Sequence, residues 1–244
     1  MKKLKLVLSV MLMAFLINTG FSQTADEVID NYAKAIGGAD KLIAVNSAIY
    51  TGKFNGMGQE FPIVMTVKRE GMARIDINFQ GKEMIRAFDG KSGWVVNPFS
   101  PNKDAEKMLP EETKSMQQMS SIEGELINYK KKGSKVELMG KEDYEGSEVY
   151  KIKLTDKDGD LTYYFIDGTS YLILKETNKR KIGEKEINSE TVYGNYKKTD
   201  DLTFPMSIEM KETGSNEGQK IDIEKIELNA TVADSVFVMP VVTK

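Results

Sequence analysis

Carboxylates are the side chains of this sequence with the clearest capacity for chemistry. The chain carries 37 acidic residues but no histidine and no cysteine, so the usual general base, the usual zinc ligands and the thiol nucleophile are all missing. A carboxylate pair could still cleave a glycosidic bond, and a carbohydrate-active enzyme is therefore one alternative. However, the acids in strand-like segments alternate with apolar residues, which is typical of a solvated sheet face. We therefore predict neither enzyme activity nor a cofactor.

One acidic cluster, Asp156 to Asp160, imitates the start of a calcium-binding loop. Such a loop needs a glutamate at its twelfth position, where this chain has Asp167, and no helical pattern follows. We interpret the cluster as a polar hairpin turn and predict no metal site. The glycines between Gly52 and Gly58 precede no helical pattern either, so they do not predict a phosphate-binding loop.

Methionine is the residue type that points most directly to binding. Of the 14 methionines, Met108, Met116 and Met119 fall at or near helical spacing. Flexible thioethers can line surfaces that accept ligands of varied shape. Ordinary core filling explains the same residues, and composition alone favours it.

The N-terminus has the pattern of a secretory signal. Three lysines lie within the first five residues, and an apolar run from Leu6 to Ile17 follows, which is too short to span a membrane comfortably. Small residues at Gly20 and Ser22 favour a cut before Gln23, so we expect residues 1–22 to be removed; an uncleaved anchor is the alternative. Removal changes the formal charge from −3 to −6, and an acidic protein is a poor nucleic-acid binder.

Residues 23–244 are expected to form a single domain that begins with a helix and continues with strands. A capping box at Thr24 and Glu27 opens an amphipathic helix that Gly37 ends, and a second helical turn follows from Ala39 to Val45. Residues 101–132 read as a helical insertion between strands, because Pro110 is typical of a helix start.

The remaining apolar residues alternate with period two, as in half-buried strands. Phe61, Ile63, Met65 and Val67 would share one face of a strand, and Ala73, Ile75, Ile77 and Phe79 one face of the next. Further strands are expected around residues 136–138, 149–154, 161–166, 171–176, 187–196, 204–210 and 221–228. The last of these changes parity, which predicts a bulge near Lys225.

So many antiparallel strands must curl. We therefore predict a mostly β (α+β) fold, in which a strongly curved antiparallel sheet forms an incomplete barrel and a helical lid lies over a hydrophobic cavity.

The segment from Asp89 to Phe99 carries the strongest local signal. Asp-Gly provides a tight turn, the following Trp and Val residues favour a strand, and Asn-Pro ends it. Any antiparallel sheet could contain such a turn. With the helical insertion behind it, however, the segment resembles the LolA family of periplasmic lipoprotein carriers, which have an aspartate-glycine-lysine turn, a strand tryptophan and an asparagine-proline-phenylalanine exit.

Two further segments support this resemblance. Val67 to Arg69 lies where the family carries a strand arginine preceded by lysine, and Phe237 to Pro240 resembles the family's closing phenylalanine and proline. Glu70 and Gly71 stand where the family has proline, and residues 177–220 add strand material. These departures resemble the diverse paralogues of the LolA/LolB-like superfamily.

The resemblance implies a soluble periplasmic carrier, expected to be a monomer, that shuttles acylated lipoprotein or lipid cargo from an inner-membrane release machinery to an outer-membrane acceptor. It also implies that Arg69 is a latch that holds the lid over the empty cavity. A lipid- or lipoprotein-sensing module that does not transport is the alternative. Strand parity and the helical insertion give the candidate cavity residues Phe61, Ile63, Met65, Ile75, Ile77, Trp94, Met116 and Met119.

Overall fold

The computed structural model describes residues 23–56, 58–182, 185–215 and 217–241. The predicted signal segment, residues 1–22, lies outside these ranges. The helices are α1 (Ala25–Ala35), α2 (Ala39–Ala44) and α3 (Pro110–Met119). The strands are β1 (Ser47–Gly56), β2 (Gln59–Lys68), β3 (Met72–Phe79), β4 (Lys82–Asp89), β5 (Gly93–Val96), β6 (Glu106–Lys107), β7 (Lys135–Tyr144), β8 (Ser147–Thr155), β9 (Leu161–Asp167), β10 (Ile173–Ile182), β11 (Lys185–Gly194), β12 (Lys197–Thr199), β13 (Leu202–Phe204), β14 (Ser207–Glu212) and β15 (Gly218–Leu228).

Local signals set the helix boundaries. The Thr24 hydroxyl accepts a hydrogen bond from the backbone N–H of Glu27 at 3.2 Å, and the Glu27 carboxylate accepts one from the N–H of Thr24 at 2.8 Å. This reciprocal pair satisfies two N–H groups that the first turn of α1 leaves free, and it confirms the predicted capping box. The predicted insertion is helical only over α3. Residues 122–133 form turns instead.

Antiparallel pairing joins most strands of the described ranges into one 13-stranded sheet, in the order β6-β5-β4-β3-β2-β1-β15-β14-β11-β10-β9-β8-β7. The chain therefore runs outward to the β6 edge, crosses through α3 and resumes at the opposite edge, β7. The two edges do not pair, so the curved sheet is an incomplete barrel, as predicted. Strands β12 and β13 form a separate hairpin.

Two irregularities in the sheet have a clear physical origin. In β15, Lys225 pairs with Thr51 and Ile223 pairs with Gly52, so Glu224 has no opposite residue and forms the predicted bulge. The bulge allows apolar residues of both parities to face the interior. The strand expected at 204–210 is divided in two at Pro205, because proline cannot donate to a strand ladder.

One face of the sheet, here called the inner face, is covered by the helices and by the turns at residues 120–134, which together form the lid. Helix α1 packs on β8–β10, α2 packs near the centre, and α3 packs on the half formed by β1–β5. The space between sheet and lid is filled with apolar side chains. The opposite face of the sheet is called the outer face.

Candidate functional site

Five of the predicted cavity residues lie together on the inner face. Met65 pairs with Ile75 and Ile63 pairs with Ile77 across β2 and β3, and directly opposite residues point to the same face of a sheet. Phe61 pairs with Phe54 of β1. All of these side chains belong to the largest apolar cluster of the interior. Along β1–β3 the inner face is thus a continuous apolar surface beneath the lid.

The two methionines expected in the lid have different positions. Met116 is only 1% exposed and packs among Val67, Ala73 and Phe88. Met119, one helical turn later, is 46% exposed. Helix α3 therefore presents Met116 to the inner face and leaves Met119 in contact with solvent.

The prediction that Trp94 forms a cavity wall is wrong. Trp94 pairs with Ala87, which in turn lies opposite Arg74, and this row of side chains occupies the outer face. Its indole Nε1 donates a hydrogen bond to the carbonyl of Phe237 at 2.6 Å, and the Arg74 guanidinium lies 5.8 Å from the ring centroid. The adjacent residue, Val95, packs with the inner cluster that contains Met116. Trp94 holds the C-terminal segment against the outer face.

Arg69 connects the end of β2 to two parts of the lid. Its Nε donates to the carbonyl of Val45 at 2.7 Å and its Nη2 to the carbonyl of Leu42 at 2.8 Å. These carbonyls lie at the C-terminal end of α2, where a cation is favoured; the Leu42 carbonyl also accepts a hydrogen bond from the backbone N–H of Val45 at 3.2 Å. The Nη1 group forms an ion pair with Glu123, in the turns that follow α3.

A second polar cluster continues from Glu123 through the same turns. Lys132 lies 3.9 Å from the Glu123 carboxylate and 3.8 Å from that of Glu125, and it donates to the hydroxyl of Ser121 at 2.9 Å. Burial lowers the pKa of Lys132, although both glutamates oppose this shift. The turns are thus held by a compact charge network that is joined to Arg69.

A third contact joins α3 to the acidic turn that resembles a calcium loop. Lys114 Nζ lies 2.7 Å from Asp160, 2.9 Å from Asp158 and 3.2 Å from Asp156. We call this cluster the Lys114 clasp. Burial alone would lower the pKa of Lys114, but the hydrogen bonds to Asp160, Asp158 and Asp156 outweigh it and raise the pKa. The turn joins β8 to β9, which confirms the predicted hairpin.

The helix of the clasp packs very closely on the sheet at Gly93. A Cβ atom at this position would lie 2.8 Å from the sulfur of Met108 and 2.9 Å from the hydroxyl oxygen of Thr113. Glycine therefore lets the start of α3 approach β5. Sequence reasoning identified Gly93 only as part of a turn and strand.

Several side chains of the Arg69 contacts and of the Lys114 clasp are ones that sequence reasoning did not select. Glu123, Lys132 and Lys114 carry no local motif, and Glu123 and Lys114 have partners that lie 54 and 46 residues away along the chain. Of these residues, the sequence indicated only Arg69, through the family resemblance, and the run of aspartates. In the part of the chain that the structure describes, no group of three or more acidic side chains is arranged to hold a metal ion.

The outer face carries a groove of about 420 Å³ beside the C-terminal segment. Its lining residues are Ile49, Thr66, Arg74, Asp76, Thr231, Val232, Ala233 and Val236. Among the helices of the described ranges, none combines the length and the apolar character needed to cross a bilayer.

Solved structures share this fold at low sequence identity. The LolA superfamily protein of Nitrosomonas europaea is 13% identical, with a TM-score of 0.58 over 88% of this chain and 97% of that one. A putative outer membrane lipoprotein-sorting protein domain from Vibrio parahaemolyticus is 10% identical, with a TM-score of 0.57 over 86% and 94%. A DUF1329 family protein from Desulfovibrio piger is 10% identical, with a TM-score of 0.53 over 87% and 96%.

No protein-family model matches the sequence, and no curated protein matches it. At these identities the structural likeness defines the fold: a curved, incomplete barrel of the kind found in the LolA superfamily. The curved, incomplete barrel expected from the sequence is therefore confirmed.

Proposed function

We propose that the protein is a periplasmic carrier that binds the acyl chains of lipoproteins or related lipids on the inner face and shuttles them toward the outer membrane. The observation that carries this proposal is the attachment of a lid to a continuous apolar face by a few polar side chains. The fold shared with LolA superfamily and lipoprotein-sorting structures supports it. We propose binding and release, without a catalytic step.

The energetics favour hydrocarbon as the ligand. Each methylene removed from water contributes ~0.8 kcal/mol, so a long acyl chain can provide enough free energy to displace interior side chains and lift the lid. Flexible side chains such as Met65 and Met116 can adjust to it. The inner face supplies affinity but little shape selectivity.

The proposed opening step breaks polar contacts and leaves the sheet intact. Arg69 belongs to the sheet side, whereas its acceptors at Leu42 and Val45 and its partner Glu123 belong to the lid. A guanidinium holds several acceptors in a fixed fork, so a small displacement of the lid breaks these contacts together. Arg69 would then act as a latch that favours the empty, closed form.

A transfer assay tests the proposal directly. The protein is incubated with inner-membrane vesicles that carry labelled lipoprotein, and acceptor membranes are added afterwards. A carrier extracts the label into a soluble complex and delivers it to the acceptor. Extraction without delivery would instead support the non-transporting sensing module, and absence of any soluble complex would contradict both. Native mass spectrometry of protein purified from its host identifies a co-purifying acylated ligand.

Two adjacent residues of β2 offer a matched pair of variants. Met65 lies on the inner face and Thr66 on the outer face. Met65→Gln places a polar amide among the proposed acyl contacts and should reduce extraction, whereas Thr66→Gln should not. Equal effects of the two substitutions would contradict the inner face as the binding surface.

A further inference from the structure

The interior reaches the surface through a column of four phenylalanine rings. Phe54 and Phe61 both contact Phe79, with ring centroids 6.3 Å and 4.5 Å away. Phe79 is 8% exposed and meets Phe99 edge to face at 5.4 Å. Phe99 itself is 57% exposed. The column therefore begins at a solvated ring and ends inside the largest apolar cluster.

This column lies at the end of the strands opposite to the latch. Phe61 is near the start of β2, whereas Arg69 follows the end of the same strand. Phe79 ends β3 at the short turn that leads to β4. The lid is fastened at the Arg69 end by hydrogen bonds and an ion pair. At the other end, the outermost ring comes from the loop between β5 and β6.

The loop that carries Phe99 is held by short-range contacts. The Asn97 side-chain oxygen accepts a hydrogen bond from the N–H of Phe99 at 3.0 Å, and the Asn97 carbonyl accepts one from Ser100 at 3.1 Å. These bonds fix the backbone and leave the ring held by its contact with Phe79. Rotation of one half-exposed side chain can therefore open the column without displacing a helix.

A cation lies beside the outermost ring. Lys82, the residue paired with Phe79 across the β3–β4 hairpin, places its ammonium group 5.6 Å from the centroid of Phe99. An ammonium group at the mouth of an apolar column is complementary to an amphiphile with an anionic end. Its hydrocarbon can enter the column while its charge stays in solvent.

We propose that Phe99 marks the portal of the carrier, through which one acyl chain enters with its methyl end leading and its anionic end remaining beside Lys82. This proposal rests on the proposed function, because it assigns a direction to the same acyl-binding interior. Phe99 moves away from Phe79 as the chain enters, and the hydrocarbon replaces the ring-to-ring contact. The latch at Arg69, at the opposite end of the strands, then opens as the interior fills from the Phe99 end.

Fluorescence quenching tests the direction of the chain. The double variant Trp94→Phe, Phe99→Trp places the sole indole at the portal, because Trp94 is the only tryptophan of the chain. Fatty acids brominated near the carboxylate or near the methyl end serve as quenchers. We expect the carboxylate-proximal bromine to cause the larger loss of fluorescence. The unsubstituted protein, with Trp94 on the outer face, is the control and should keep its fluorescence with both probes.

Calorimetry on the same samples separates the two proposals. If neither fatty acid binds to the unsubstituted protein, the acyl-binding function itself fails. If binding occurs but the introduced indole is not quenched, or the methyl-end bromine quenches it more strongly, the portal is overturned while acyl binding stands. Should the double variant not fold, Phe99→Trp alone gives the same information from the difference between its quenching and that of the unsubstituted protein.

Substitutions at the portal provide a second test. Phe99→Ala should weaken fatty-acid binding about tenfold, equivalent to ~1.4 kcal/mol, whereas Met139→Ala, at a similarly exposed residue on β7, should not. Lys82→Gln should weaken binding of the fatty acid more than binding of the fatty alcohol of equal length. Unchanged affinity in Phe99→Ala would overturn the portal, and equal losses for acid and alcohol would overturn the role of Lys82.

Discussion

Lys114 in α3 and Asp160 in the β8–β9 turn form a 2.7 Å hydrogen bond although 46 residues separate them in the sequence. Helix α3 packs on the half of the sheet that ends at β6, whereas the turn belongs to the half that ends at β7. The contact therefore joins the two halves of an open sheet through the lid. It complements Arg69, which joins the lid to the sheet at the end of β2.

Removing the Lys114 clasp should loosen α3. We expect Lys114→Gln to lower the free energy of unfolding by about 1–2 kcal/mol, because hydrogen bonds to charged groups are lost from a partly solvated site. Hydrogen exchange of the α3 amides should accelerate, and added salt should reproduce part of the effect. Lys103→Gln, at an exposed lysine before β6, is the control. Unchanged exchange in α3 would show that the clasp does not hold the helix.

Much of the fold was predictable because its determinants are local. The capping box at Thr24 and the period-two pattern in β2 and β3 were predicted from neighbouring residues, and the structure confirms both. The clasp was not predictable in this way. No pattern near Lys114 indicates which distant turn its side chain will contact. The aspartates after β8 are equally well explained as an isolated polar hairpin.

Trp94 shows why the site was harder to predict than the fold. Strand β5 has only four residues, Gly93–Val96, and three of them are apolar. Alternation between polar and apolar residues is what assigns a side chain to a face, and this strand offers none. The sequence was therefore compatible with Trp94 on either face. The contact that places it on the outer face is with Phe237, which lies more than a hundred residues further along the chain.

From the position of Trp94 we predict that its substitution lowers the stability of the fold and leaves acyl-chain binding unchanged. Trp94→Phe keeps an aromatic ring but removes the donor to the Phe237 carbonyl, so we expect the free energy of unfolding to fall by ~1 kcal/mol. Proteolysis of the C-terminal segment should become faster. Acyl-chain affinity, measured by calorimetry, should stay constant; a large loss would place Trp94 on the binding surface after all.

Arg69 should affect cargo release more than folding. Arg69→Leu removes the donors to Leu42 and Val45 and the partner of Glu123, so the closed form loses stability relative to the open, loaded form. We expect the variant to fold, to bind cargo and to hand it over slowly. Arg74→Leu, at an arginine of the outer face, controls for loss of a guanidinium. Release from the loaded variant at the unsubstituted rate would refute the latch.

The pH dependence of the clasp follows from two pKa shifts. The hydrogen bond from Lys114 lowers the pKa of Asp158 below 3.8, so the stabilisation from Asp158 is complete above pH 3.8 and is lost as the pH falls through the lower value of the folded protein. The pKa of Lys114 is raised above 10.5, so its stabilisation is complete below pH 10.5 and is lost as the pH rises through the folded value. The clasp should therefore stay intact between these limits.

Unfolding by urea over a pH series measures this dependence. We expect the free energy of unfolding to fall less at acid pH in Asp158→Asn, because this variant lacks one carboxylate that must be protonated. Asp104→Asn, at an exposed carboxylate outside the clasp, provides the comparison. If the free energy of unfolding falls identically at acid pH in Asp158→Asn and in the unsubstituted protein, Asp158 does not contribute to the pH dependence.

The close approach of α3 to Gly93 should make this glycine hard to replace. A methyl group there would lie within 3 Å of the Met108 sulfur and the Thr113 hydroxyl oxygen, so Gly93→Ala should push the start of α3 outward and cost about 1–3 kcal/mol of unfolding free energy. Gly194→Ala, where a new Cβ would lie 4.0 Å from its nearest neighbour, the Cβ of Ser207, should cost less. Because the Met108 sulfur supplies the shortest contact, adding Met108→Ala to Gly93→Ala should remove part of the steric loss, and the contact with the Thr113 hydroxyl oxygen remains. If the double variant is destabilised by the full sum of the single effects, the cost of Gly93→Ala does not arise from contact with the Met108 side chain.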